Sequence, residues 1–247
     1  MKSFILTLVL FIPLLSGCTS PTKEPMLMMV QEGVLYMTGF HQHERRARVV
    51  VIDTGLNPSL LRADYMCKDV AQLGFDDQLK PDNMHGTNIV SIIQEGMNIE
   101  KYCITMIKVD LTNRIVDEFA LALKYPRALS NTYTLNLSLV TYGYKHGDYQ
   151  LIKSILRSGI KVNAAAGNDG TNLDPMCSIY LACFGKLLER ENKLALRANL
   201  KIIGAFAPYS NYGDVVDIFL PGGPMGTPPM QGTSMATALY TNILVRD

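Results

Sequence analysis

An alternation along the chain constrains its fold more than any other feature. Short runs of β-branched and apolar residues take turns with longer stretches whose apolar residues recur at helical spacing. "RVVVID" (48–53), "CITMIKVD" (103–110), "TYTLNLSLV" (132–140), "IKVNAAAGN" (160–168), "KIIGAF" (201–206) and "VVDIFL" (215–220) read as strands. "HGTNIVSIIQEG" (85–96), "RIVDEFALALKY" (114–125) and "DYQLIKSILRSG" (148–159) read as helices. The second places Ile115, Phe119, Ala122 and Leu123 on one face and stops before Pro126. The third carries Leu151, Ile152, Ile155 and Leu156 as its stripe and ends at Gly159. Apolar strands without polar alternation are buried on both faces, and helices between them make βαβ crossovers. The expected fold is therefore three-layer α/β, a mostly parallel sheet with helices on both faces.

Such sheets bind ligands at the carboxyl ends of their strands. Asp53, Ser138 and Asn168 stand at three of those ends, so one site assembled from separate segments is expected. His85 opens a helix and is followed by Gly86, which leaves room beside the ring. Ser234 lies in "QGTSMATALY", where Gly-Thr-Ser before small apolar residues is an ordinary helix start. Each residue has a plain structural reading: Asp53 and Asn168 as turn formers, His85 as a solvent-facing side chain, Ser234 as a cap. Together they supply what acyl transfer needs: a hydroxyl, a base, a carboxylate to fix the base and a donor for the oxyanion. The other histidines do not compete. His41 and His43 form a loop "HQH" without companion metal ligands, and His146 reads as a turn residue.

"VVVIDTG", "HGTNIV", "LNLSL", "AAAGNDG" and "GTSMATA" resemble, in order, the signature segments of the subtilisin-like serine proteases. "YSNYG" followed by "VVDIFLPGG" resembles a further segment that leads into the serine loop. The order Asp, His, Ser is the one subtilisin uses. The resemblance runs from about Arg48 to the end and implies a peptidase domain over 40–247. It implies Ser234 as nucleophile, His85 as general base and acid, Asp53 as the group orienting His85, and Asn168 as oxyanion donor. Leu137, Ser138 and Leu139 would be the edge against which an extended polypeptide substrate pairs. No cofactor is needed for that chemistry. Structural calcium is common in the family, but no ligand cluster can be assigned here.

The chain departs from the family at four places. Asn88 stands where a second His is usual, and Ser91 replaces a Gly. Neither position transfers a proton, so packing is the expected consequence. Ala238 and Leu239 replace the usual Pro-His after "GTSMAT", and Val140 and Thr141 replace two Gly after Ser138–Leu139. Finally, 13 residues follow Ser234, and family members usually continue further. Met235, Leu239, Ile243 and Leu244 are therefore expected to be underpacked. Two rivals remain: a non-catalytic relative that binds peptides, and an aspartic protease, whose signature is also Asp-Thr-Gly. The second has one such triplet where two are needed, and leaves "GTSMAT" unexplained.

The N-terminus "MKSFILTLVLFIPLLSGC" has a charged start, a short apolar middle and a small-residue exit, the layout of a signal peptide over 1–17. Its "LSGC" exit resembles the lipobox of bacterial lipoproteins, which implies lipidation at Cys18 and a membrane anchor; a plain secretory signal is the alternative. Thr19 is not Asp, which favours the outer membrane. Residues 18–39 read as a tether and lead-in. The other four cysteines suit an oxidising compartment, with Cys177 and Cys183 the first expected pair and free buried thiols the alternative. A net charge of +1 and no basic run argue against nucleic acid, and a monomer is expected.

Overall fold

The computed structural model describes residues 28–31, 34–37, 44–74, 84–109 and 130–247. The signal-type segment, Cys18, His41, His43 and the expected helix at 114–125 lie outside the described residues. Eleven strands are described: β1 Met28–Gln31, β2 Val34–Met37, β3 Ala47–Asp53, β4 Gln72–Gly74, β5 Tyr102–Lys108, β6 Thr132–Leu137, β7 Thr141–Tyr142, β8 Lys161–Ala165, β9 Ile179–Tyr180, β10 Leu200–Ala205 and β11 Ile218–Leu220. The described helices are α1 His85–Gln94, α2 His146–Arg157, α3 Ala182–Arg190, α4 Leu194–Ala198 and α5 Thr233–Leu244.

Nine strands form one sheet in the order β1-β2-β4-β5-β3-β6-β8-β10-β11. From β4 to β11 every neighbouring pair is parallel; β1 and β2 are antiparallel to each other, and β2 is antiparallel to β4. The expected three-layer arrangement follows from the strand period of two. In β3, Val50 and Ile52 join one apolar core with Ile152, Ile155 and Leu156 of α2 and Phe184 and Leu188 of α3. Val49 and Val51 join the opposite core with Ile89, Val90 and Ile93 of α1 and Met235 and Ala238 of α5. All four β3 side chains are fully buried, which is why "VVVI" shows no polar alternation.

Three expectations are corrected. The lead-in over 18–39 contains β1 and β2, which extend the sheet through β4, so the ordered fold begins before residue 40. Each of these strands is four residues long, too short for a periodic signal. His146 is not in a turn but is the first residue of α2. The C-terminal helix is better packed than expected: Met235 is buried, Leu239 and Leu244 pack against the α1-side core, and only Ile243 is exposed. Asn242 also donates to the carbonyls of Ile93 and Glu95 at 2.9 and 2.6 Å, satisfying two orphan acceptors at the end of α1.

Both pairs of cysteines are disulfides. Cys177–Cys183 is the pair expected from proximity, and Cys67–Cys103 ties the segment before β4 to β5.

Candidate active site

The expected residues fall in two bonded groups, Asp53 with His85 and Asn168 with the start of the helix that carries Ser234. Asp53 is the last residue of β3 and is wholly buried. Its Oδ1 accepts from the Thr54 N–H at 2.7 Å and lies 2.7 Å from His85 Nδ1. His85 opens α1, and the helix seats tightly against the turn after β3. Gly86 N–H donates to Thr54 Oγ1 at 3.1 Å, and a Cβ on Gly86 would lie 2.5 Å from the Gly55 carbonyl oxygen. Only glycine permits that approach, so "HGT" is a packing requirement as well as a chemical one.

Burial alone would lower the imidazole pKa. The hydrogen bond that Asp53 accepts from His85, together with the Asp53 charge, outweighs that effect, and the His85 pKa is raised above its ordinary value. Asp53 Oδ2 is buried without a hydrogen-bond partner among the described residues. Uncompensated buried carboxylate oxygen is costly, so the contact with His85 is the main answer to that charge.

Ser234 is the second residue of α5 and is half-buried. Its hydroxyl donates to the Ser138 carbonyl at 2.8 Å. Ser138 Oγ donates back to the Ser234 carbonyl at 2.9 Å and accepts from Asn136 Nδ2 at 2.9 Å. Ser138 follows the last residue of β6, Leu137, which pairs with Ala164 of β8. Leu137, Ser138 and Leu139 are all buried. A hydroxyl has one proton, and in this conformation Ser234 Oγ directs it to the Ser138 carbonyl.

Asn168 lies three residues beyond β8 and is exposed. Its Oδ1 accepts from the Thr233 N–H at 2.8 Å and from Thr233 Oγ1 at 3.0 Å. A backbone N–H can only donate, so the amide oxygen faces the Thr233 N–H, while Nδ2 lies beside Gly232, where a Cβ would stand 3.1 Å from it. Thr233 Oγ1 also accepts from the Gly167 N–H at 3.2 Å, which knits the Asn168 loop to the start of the helix.

Sequence reasoning gave no role to Thr233 or Asn211. Asn211 is fully buried, accepts the N–H groups of Asp169 and Thr171 at 3.1 and 2.9 Å, and donates to the Ala166 carbonyl at 2.9 Å. It holds the loop that presents Asn168. The signal was the central Asn of "YSNYG", a polar residue beside a buried run.

One group among the described residues has metal-ligand proximity: Glu44, Cys67 and Cys103. Its two sulfurs are bonded to each other, so it offers no thiolate. A cavity of about 240 Å³ is lined by Asp174, Met176, the Cys177–Cys183 disulfide, Lys186 and Arg190; Asp53, His85, Asn168 and Ser234 do not border it.

No protein-family model matches the sequence, and no curated protein sequence matches it. Solved structures do match in fold. A cold-adapted subtilisin-like serine proteinase superposes with a TM-score of 0.57 at 17% identity, covering 87% of this chain and 81% of that one. The protease domain of PatA, solved as a mutant, gives 0.60 at 17% identity over 84% and 81%. A lanthipeptide protease gives 0.56 at 16% identity over 79% and 71%. The chain has the mostly parallel α/β fold of the subtilisin-like serine proteases.

Proposed function

We propose that this protein is a serine endopeptidase that cleaves polypeptides through an acyl-enzyme. The observation that carries the reading is the His85–Asp53 contact at the carboxyl end of β3, with Asn168 bonded to Thr233 beside Ser234 at the start of α5. Ser234 attacks the scissile carbonyl after its hydroxyl turns from Ser138 to His85. His85 takes the proton, then returns it to the leaving amine. Asp53 holds Nδ1–H and stabilises the imidazolium. The Asn168 NH₂, which lies beside Gly232 at the start of α5, and the Ser234 N–H in the first turn of α5 donate to the oxyanion. The substrate lies extended along Ser138 and Leu139 beyond the end of β6; Leu137, expected at the same edge, is already paired with Ala164 of β8.

The protein is further proposed to be exported and lipid-anchored at Cys18, on the sequence of its first 18 residues. Loss of metabolic palmitate labelling in Cys18→Ala supports this; labelling that persists contradicts it.

A second reading, a peptide-binding relative without turnover, draws on the Ser234 hydroxyl resting on Ser138. Hydrolysis of a broad peptide library by the parent and by Ser234→Ala separates the two. The proposal requires cleavage by the parent and none by the variant. Binding without cleavage by either supports the second reading.

A further inference from the structure

Asn88 stands on α1 three residues after His85, on the same side of the helix. It is 1% exposed, and both ends of its amide are engaged by a single turn. Asn88 Oδ1 accepts from the Thr227 N–H at 2.9 Å, and Asn88 Nδ2 donates to the Pro228 carbonyl at 3.0 Å. That turn is closed by Met225 and Met230, which exchange backbone hydrogen bonds at 2.8 Å in both directions. The chain then runs directly through Gln231 and Gly232 to Thr233 and Ser234. On the facing side, Gly226 has φ +84°, and a Cβ there would lie 2.5 Å from Asn88 Cγ. The turn is thus shaped to receive this side chain.

Resting on the protease reading above, we propose that Asn88 is a positioning residue: it fixes the approach of Ser234 to His85. One helix carries the base and grips the lead-in to the nucleophile, so the two move as a unit. Filling space does not account for the arrangement. An apolar side chain of equal size would fill the site and leave the Thr227 N–H and the Pro228 carbonyl unanswered. Misplacement of reacting groups by about 1 Å can cost a hundredfold in rate. The Asn-for-His departure therefore keeps one donor and one acceptor at this position and is not merely a change of packing.

The test is the second-order rate of labelling by a fluorophosphonate, expressed per folded molecule. Asn88→Leu keeps the volume and loses both hydrogen bonds. It is expected to label about 10- to 100-fold more slowly than the parent. The pH midpoint of labelling should stay at the parental value, because the Asp53–His85 contact is untouched. Asn88→His, which restores a donor and an acceptor, should recover most of the rate. Gly226→Ala attacks the same contact from the turn and should reproduce the loss; it decides the matter if Asn88→Leu does not fold. Parental labelling by Asn88→Leu, or by Gly226→Ala where Asn88→Leu does not fold, overturns the proposal. So does an Asn88→His that recovers thermal stability without rate. A parent that does not label at all is a different result, which removes the protease reading itself.

Discussion

The hydroxyls of Ser138 and Ser234 each donate to the other residue's main-chain carbonyl, at 2.9 and 2.8 Å. This reciprocal pair locks the end of β6 to the first turn of α5. Asn136 Nδ2 supports it by donating to Ser138 Oγ. Ser138→Ala removes one of the two bonds and deprives a buried amide of its acceptor. It should lower the unfolding free energy by about 1–3 kcal/mol. Urea unfolding checks this, and a change below about 0.5 kcal/mol would show that the pair does not hold these elements together.

Asn168 has two separable duties. Its oxygen caps α5 through Thr233, and its nitrogen is the proposed oxyanion donor. Asn168→Ala loses both, and should cost about 1 kcal/mol of stability and about 10²–10³ in turnover. Asn168→Asp keeps an acceptor at a helix N-terminus, where negative charge is favourable, so its stability should match the parent. Its turnover should fall at least as far, because a carboxylate faces the developing oxyanion. Equal turnover in Asn168→Asp and parent would remove Asn168 from the chemistry.

The pH dependence has a definite sign. His85 must be neutral to accept a proton, and Asp53 raises its pKa. The labelling rate should therefore rise with pH through a midpoint above about 6.5. Asp53→Asn removes the raising influence and leaves burial, so its midpoint should lie below the parent's. Stability carries the opposite trend. A folded pKa above the unfolded one gives a contribution that is complete below the unfolded value and fades as pH rises through the folded value. Urea unfolding on both sides of that window should show the parent, and not Asp53→Asn, losing this increment.

The strands of the central sheet were legible because burial on both faces leaves an uninterrupted apolar run, as in "VVVI" of β3. Helix α1 was legible from its stripe and from Gly96 beyond its end. The missed elements are short. β4 has three residues, and β7 and β9 have two each; they exist through pairing with distant segments rather than through a local pattern. Helix α3, "ACFGKLLER", carries a glycine in its middle, where Gly185 packs against Arg197 and Val215. Asp53, His85, Asn168 and Ser234 were nameable from sequence as candidates. The grip of Asn88 on Thr227 and Pro228 was not, because it joins residues 139 and 140 positions apart.

The disulfides should differ in weight. Cys67–Cys103 spans 36 residues and Cys177–Cys183 spans six. On the loop-closure model their removal costs about 4 and about 2 kcal/mol. Paired Cys→Ala variants measured by urea unfolding check the order. A larger loss from the Cys177–Cys183 pair would mean that local strain or contacts, not chain entropy, decide.

The central claim is that Ser234 is a nucleophile activated by His85. The most direct measurement is to label the folded protein with a fluorophosphonate and locate the adduct by peptide mass mapping. The account predicts one adduct per chain, on Ser234, abolished in Ser234→Ala and slowed by orders of magnitude in His85→Ala. An unlabelled parent beside a labelled control protease, or an adduct on another residue that persists in Ser234→Ala, would contradict it.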